Sequence, residues 1–339
     1  MHKLLLIGFG NVGQALSRLL LEKKAELAGK YDFHYSVVGI IDTLKGSICN
    51  DQGIDLAKAL DMAASETSLD RYPEGETGLD ALAAIRKSSA TVMLEATYTD
   101  IETGEPATSH IKTAFERGMH VVTTNKGPVA LFHKELRDIA DNKGVSFLFE
   151  GTVMSGTPML NLVRETLAGS EIQSVQGILN GTTNYILTRM EEGMPYEDAL
   201  RKAQELGYAE AVPDADVKGW DALAKAAILA NVLFDAPLKP ADIPCTGITD
   251  LTSGHIDEAK KSNQRYKLLA KVKKEGNSVA AEVAPVKIGL THPLASVSGA
   301  TNALTITTDT LGDVTIVGPG AGRKETGFSM LIDLLKIGD

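Results

Sequence analysis

Cysteine is nearly absent: Cys49 and Cys245 are the only two in 339 residues. Two thiols cannot build a disulfide framework or a four-thiolate zinc site, and such sparse use fits a reducing cytoplasm. Basic residues are also in deficit, with 34 Lys and Arg against 44 Asp and Glu and a net charge of −10. Nucleic acids and anionic membranes are bound through basic patches, so neither is expected as a partner. No apolar run approaches the ~18 residues of a membrane-crossing helix. The opening run Leu4–Ile7 meets Gly8 too soon for a secretory signal. No repeat of fixed period occurs, which excludes solenoids and propellers.

What is present is glycine, 32 residues of it, and a regular alternation of short apolar runs with helical periodicity. Strands are predicted at Lys3–Ile7, Ser36–Ile41, Thr91–Ala96, His120–Thr123 and Val145–Phe149. Helices are predicted at Gln14–Ala28, Leu56–Ala64, Leu79–Lys87, Ser109–Arg117 and Leu131–Asn142. This alternation gives an α/β fold with a doubly wound parallel sheet of Rossmann type, whose ligands bind at the carboxyl ends of the strands. After Glu150 the pattern changes. Helices are expected near Met159–Leu167, Thr183–Glu191, Tyr196–Leu206 and Trp220–Phe234, with one strand at Ser174–Leu179 and several between Tyr266 and Val317. That is an α+β domain, a sheet covered by helices. The domains are therefore read as 1–150 (dinucleotide-binding), 151–317 (substrate-binding) and 318–339. The helix Arg323–Leu335 of the last segment is expected to return to the first domain.

Gly8, Gly10 and Gly13 form G-x-G-x-x-G in the run Gly8-Phe9-Gly10-Asn11-Val12-Gly13, between a predicted strand and a predicted helix. The glycines permit a tight turn, close approach of backbone to pyrophosphate and tight helix–strand packing. Asp42 ends the second strand, where a carboxylate accepts from ribose hydroxyls and favours NAD; its spacing from Gly8 exceeds the usual ~20 residues and calls for a longer first crossover. Lys45 would offset a 2′-phosphate, so NADP stays open. Thr97 and Lys126, at the ends of the third and fourth strands, face the same crevice.

The stretch Glu205–Lys225 is dense in acids and enters a helix. Asp221 and Lys225 are four apart, on one helix face, and are the only charged side chains between Trp220 and Phe234. A lysine buried there needs a partner and becomes available for proton transfer. Two Gly/Thr-rich turns, Glu150–Pro158 and Asn180–Asn184, lead into helices. Their N–H groups and hydroxyls suit a small polar substrate, and Glu150 with neighbouring carbonyls suits a hard cation.

Together these segments resemble the homoserine dehydrogenases. Gly8–Gly13, Thr124-Asn125-Lys126-Gly127, Glu150–Pro158, Ile178–Tyr185, Leu206–Lys225 and Gly318-Pro319-Gly320-Ala321-Gly322 occur in family order and span essentially the whole chain. Leu206–Lys225, with Tyr-x-Glu, two acids and Gly-x-Asp-x-x-x-Lys, is the most specific part. The resemblance implies an NAD- or NADP-dependent oxidoreductase that interconverts L-homoserine and L-aspartate 4-semialdehyde in threonine, methionine and isoleucine biosynthesis. It implies Lys225 as the proton donor or acceptor, Asp221 as its partner and Lys126 near the nicotinamide. Gly8, Phe9, Gly10, Asn11, Val12, Gly13, Asp42, Thr97, Lys126 and Gly320 would bind the cofactor. Gly181, Thr182, Tyr208, Glu210, Asp216 and Lys225 would bind homoserine. A monovalent cation, commonly sodium, would rest on the Glu150 side chain and the carbonyls of Val153, Ser155 and Thr157. A cytoplasmic homodimer is implied, with the second domain supplying much of the interface.

The chain departs from the family in two respects. It shows no regulatory or kinase domain, so threonine feedback through one is not expected. Charged residues also follow Gly322, in Arg323-Lys324-Glu325, where the family carries small ones. An aspartate semialdehyde dehydrogenase would need a nucleophilic cysteine. Cys49, placed in an early loop, and Cys245 lack a neighbouring histidine or helix start. A nucleotide sensor without turnover would have no use for Asp221 and Lys225.

Overall fold

The structure, a computed structural model, describes residues 1–337. In chain order its elements are β1 (His2–Ile7), α1 (Asn11–Glu22), α2 (Lys24–Tyr31), β2 (Tyr35–Asp42), β3 (Gly46–Cys49), α3 (Leu56–Ala64), β4 (Glu76–Thr77), α4 (Ala81–Lys87), β5 (Val92–Glu95), α5 (Ala107–Glu116), β6 (His120–Thr123), α6 (Lys126–Lys143) and β7 (Phe147–Leu148). Then follow α7 (Met159–Thr166), β8 (Ile172–Ile178), α8 (Gly181–Glu191), α9 (Tyr196–Glu205), α10 (Asp214–Val217), α11 (Trp220–Leu233), α12 (Ser253–Lys261), β9 (Gln264–Glu275), β10 (Ser278–Gly289), β11 (Thr301–Thr308), β12 (Gly312–Pro319) and α13 (Arg323–Leu335). Two compact units result: Met1–Gly156 with the segment from Gly322, and Thr157–Ala321. Among the described residues no helix is long and apolar enough to cross a membrane.

The first unit is built on a seven-stranded sheet in the order β4-β3-β2-β1-β5-β6-β7. Strands β2, β1, β5, β6 and β7 run parallel. Leu4–Ile7, Val37–Ile41 and Val92–Leu94 are almost wholly buried, as parallel strands covered on both faces must be. α13 packs against α1, with Gly327 so close that a side chain there would collide with the α1 backbone at Leu16.

Four local expectations are corrected. The edge beyond β2 is antiparallel, because a tight turn after Asp42 folds Gly46–Cys49 back as a hairpin strand. Cys49 therefore ends a strand rather than sitting in a loop, and burial first, then Glu76 and Asp51, pushes its thiol up to about 11. The predicted helix Gln14–Ala28 is two helices divided at Lys23. The apolar stripe that seats α1 ends at Leu20, and only Leu27 of α2 is buried, so packing does not enforce one continuous helix. The strand expected at Val145–Phe149 shrinks to Phe147–Leu148, because Phe149 already turns away into a short 3-10 turn.

The second unit holds a fully antiparallel sheet in the order β10-β9-β8-β11-β12. Helices α8, α11 and α12 pack on it. Beneath α8 lies Lys267 of β9, 1% exposed, whose ammonium donates to Asn184 Oδ1 at 2.9 Å and Val297 O at 2.5 Å. Asn184 Nδ2 donates in turn to the carbonyls of Val297 and Thr301. These bonds pin α8 to the connection between β10 and β11. Burial, opposed by the charge of Glu191, pushes Lys267 down from 10.5 to about 8.

A lowered lysine value means that the fold disfavours the charged form. Between about pH 8 and its ordinary value the unfolded chain keeps a proton that the folded chain has released, so this residue's contribution to stability improves as pH rises. Urea unfolding of the wild type and of Lys267→Met near pH 7.5 and near pH 10 should show the wild type gaining on the variant, by at most on the order of 3 kcal/mol. A difference that stays flat with pH contradicts this.

Candidate active site

In the first unit the glycine run lies between β1 and α1. Gly8 adopts φ +98°, and a side chain on it would strike the backbone of Ala96 at the end of β5. One on Gly13 would strike the Gly8 carbonyl, so α1 can start this close to the strand only with glycine at both positions. Gly10 faces open space. No side chain caps the start of α1, and Asn11 is exposed and Val12 half-buried there. An open glycine beside uncapped first-turn N–H groups fits a pyrophosphate. Phe9 is placed differently from its neighbours: its ring is in the core, its N–H donates to Asp42 Oδ2 at 2.7 Å, and its carbonyl accepts from Gln14. Its part is to fix the loop.

Asp42 ends β2 and also accepts from the N–H groups of Leu44 (2.9 Å) and Lys45 (3.0 Å) through Oδ1. Three of its roughly four lone-pair positions are thus used within the unit. The carboxylate is held rigidly, with one acceptor position left. Thr97 and Lys126 follow β5 and β6. Both Thr97 N–H and its hydroxyl donate to Glu95 Oε1. Lys126 opens α6, whose first turn is capped by Asn125 through Gly127 N at 3.2 Å.

In the second unit the predicted residues Asp216, Asp221, Lys225 and Thr182 converge. Lys225 is 6% exposed. Its Nζ donates to Leu179 O at 2.6 Å and Asp221 Oδ2 at 2.7 Å. Asn180 caps α8 by accepting from Thr183 N–H at 2.9 Å, and its Nδ2 donates to both Asp216 Oδ1 (2.7 Å) and Asp221 Oδ2 (3.1 Å). Burial, reinforced by the charge of Asp221 and opposed by Asn180, raises the Asp216 carboxyl above the usual range. Thr182 Oγ1 donates to Tyr208 O at 2.6 Å, and the rings of Tyr185 and Tyr208 stand 5.1 Å apart. Gly181 starts α8 against Ala300, whose carbonyl leaves no room for a side chain. Glu210 is not drawn into this cluster: it is exposed, and its backbone carbonyl is what Gln204 holds.

Gly320 lies directly over the amide of Asn302, with which any side chain at 320 would collide. The Asn302 amide is completely buried, and neither of its polar atoms has a hydrogen-bond partner among the described residues. Of the proposed cation donors, Glu150, Val153, Ser155 and Thr157 are all buried. Glu150 N–H donates to the buried Asp333 at 2.8 Å. Met154 and Ser155 hold φ of +59° and +52°, a region that residues other than glycine seldom occupy. Thr157 Oγ1 donates to Pro319 O at 2.9 Å.

Residue-type reasoning overlooked Asn180, Glu95 and Asn125 as members of these networks. Asn180 and Asn125 stand immediately before the observed starts of α8 and α6, which they cap, whereas the helices predicted there begin later, at Thr183 and Leu131. Their second amide function is visible only once other chain segments are placed beside them. Glu95 did carry a signal, a carboxylate closing the apolar run Val92–Leu94.

Residues 158–335 match the family model described as Homoserine dehydrogenase. The sequence is 45% identical over 339 residues to a Pseudomonas canavaninivorans protein named NAD(+)-dependent homoserine dehydrogenase, covering 99% of this chain and 96% of that one. It is 39% identical over 335 residues to a homoserine dehydrogenase of Methanocaldococcus jannaschii, covering 98% of each. Among solved structures, a putative homoserine dehydrogenase from Archaeoglobus fulgidus superposes with a TM-score of 0.88 at 37% identity, covering 99% of both chains. A hyperthermophilic archaeal homoserine dehydrogenase in complex with NADPH superposes with a TM-score of 0.84 at 30% identity, covering 99% of this chain and 97% of that one.

The fixed charge of Asp42 should repel a 2′-phosphate. Asp42→Asn removes that charge and should shift the ratio of kcat/KM for NAD over NADP toward NADP by about tenfold or more. Initial rates with each cofactor check this, and an unchanged ratio contradicts it.

Proposed function

The chain belongs to the homoserine dehydrogenase family, and we infer that Lys225 is the residue that exchanges a proton with the substrate oxygen. The activity is NAD(P)-dependent interconversion of L-homoserine and L-aspartate 4-semialdehyde, a step of amino-acid biosynthesis. A bound nicotinamide supplies the hydride acceptor in oxidation and the hydride donor in reduction. Everything else falls to the chain's own side chains and backbone.

In the oxidation direction Lys225 acts as the neutral amine: the C4–H bond of homoserine breaks with its electron pair, and the hydroxyl proton leaves for the amine's lone pair as the carbonyl forms. In the reverse direction the Lys225 ammonium returns that proton to the oxygen. A lysine ammonium has three hydrogens, and Leu179 O and Asp221 Oδ2 engage two of them. The third is available to the substrate oxygen. This buried, doubly anchored ammonium is the observation that carries the assignment. Asp221 orients it and balances its charge.

Asp216 is assigned to the homoserine ammonium, and the first-turn N–H groups of Gly181 and Thr182 to its carboxylate. Tyr208, whose carbonyl holds Thr182, covers the substrate. Thr97 and Lys126 are assigned to the nicotinamide end of the cofactor, and Gly8, Gly10, Asn11, Val12, Gly13, Asp42 and Gly320 to the rest of it. The Glu150 carboxylate and the carbonyls of Val153, Ser155 and Thr157 form a hard-oxygen set suited to sodium. Residues 1–150 are assigned to the dinucleotide and 151–317 to substrate and dimerisation, with 318–339 returning to the first domain. The protein is taken to be a cytoplasmic homodimer, and light scattering should give twice the chain mass.

The test is absorbance at 340 nm with homoserine and each cofactor at alkaline pH, with and without sodium, for wild type and Lys225→Ala. The wild type should turn over. The variant should lose kcat by about 10²-fold or more with little change in KM, as expected when an interaction made in the transition state is removed. Near-normal kcat in the variant overturns the Lys225 assignment. Cofactor binding without turnover in the wild type overturns the activity.

A further inference from the structure

Glu95 is the last residue of β5, the strand beside β1 in the middle of the sheet, and its side chain is wholly buried. A carboxylate persists in such a place only where hydrogen bonds replace the water it has lost. Here they all lead to the carboxyl ends of neighbouring strands. Oε1 accepts from the N–H and the hydroxyl of Thr97, and Oε2 accepts from Thr123 Oγ1 at 3.0 Å. Thr123 Oγ1 accepts in turn from Asn125 N–H at 3.0 Å. Asn125 then caps the first turn of α6 through Gly127 N–H and donates to Tyr98 O at 2.8 Å. One carboxylate thereby fixes the turn after β5, the turn after β6 and the start of α6, which carries Lys126. His110 Nδ1 stands 3.9 Å from Oε1, beyond hydrogen-bond distance, so the hydrogen bonds of this carboxylate come from Thr97 and Thr123.

We propose that Glu95 is a positioning residue for hydride transfer, holding Thr97 and Lys126 in register with each other at the nicotinamide end of the cofactor. The proposal rests on the assignment of Thr97 and Lys126 made above. Binding of the whole dinucleotide draws on many contacts along the glycine run, and is insensitive to a small shift at one end. Hydride transfer is not, since misplacement by about 1 Å can cost about 10²-fold.

Two variants test this. Glu95→Gln keeps the shape but replaces one acceptor with an amide donor, and Thr123→Val removes only the hydroxyl between Glu95 and Asn125. The enzyme preloaded with dinucleotide is mixed with saturating homoserine, unlabelled or deuterated at C4, and the first turnover is followed at 340 nm. In both variants the first-turnover rate should fall about 10- to 100-fold and carry a primary isotope effect. The dinucleotide Kd, read by fluorescence, should stay within about threefold, and thermal unfolding should show a folded protein at the assay temperature. A rate within about twofold of wild type in either folded variant overturns the proposal, as does a rise in Kd that accounts for the loss. If Glu95→Gln does not fold, Thr123→Val decides by the same readings. A wild type that binds dinucleotide but never reduces it overturns the functional assignment, and Glu95 falls with it; an active wild type with unimpaired variants overturns the role of Glu95 alone.

Discussion

An ammonium ion sealed inside a helix-on-sheet interface is the constraint on which the second unit depends. Lys225 cannot sit in α11 with its charge unpartnered, because an isolated buried cation costs several kcal/mol, a large fraction of the stability of a domain. Its two partners come from different levels of the fold. Asp221 is one helical turn earlier, a local choice. The Leu179 carbonyl lies just past the end of β8, a choice that only the packing of α11 onto the sheet can satisfy. Folding the unit correctly and arming the lysine are therefore the same event. The acids around it obey the same logic, since Asp216 and Asp221 share one amide, that of Asn180, instead of two separate solvent shells.

A common device recurs in both units. Helix starts leave N–H groups that need acceptors, and here the capping side chain is also a structural clasp for the site. Asn125 caps α6 and reaches back to the turn after β5. Asn180 caps α8 and reaches forward to two carboxylates. Asp42, at a strand end, holds both the glycine run and the hairpin turn that follows it. Each uses a short polar side chain with more than one hydrogen-bonding position, so that the local geometry of a terminus is communicated to residues distant in sequence.

Those clasps mark the boundary of what could be read without coordinates. The glycine run, the alternation of strand and helix and the Asp221/Lys225 spacing were legible because each is a local pattern with a local physical cause. The antiparallel edge formed by Gly46–Cys49 was not, because its four residues carry no periodicity and their pairing follows from the turn after Asp42. The division of the first helix at Lys23 escaped for a related reason: charged residues there satisfy helix propensity, and only the end of the buried stripe reveals the break. Glu95 and Asn180 belong to networks closed by residues up to 41 positions away, and no spacing rule anticipates them. In the other direction, Phe9 belonged to the glycine motif by position, yet its ring is core and its N–H is already used.

The most direct test of the account is a crystal structure of the protein with homoserine and a dinucleotide bound. The account predicts Lys225 Nζ within about 3 Å of the substrate's hydroxyl oxygen, with its bonds to Leu179 O and Asp221 retained. A complex in which that oxygen is held by another residue, with Lys225 turned away from it, would contradict the account.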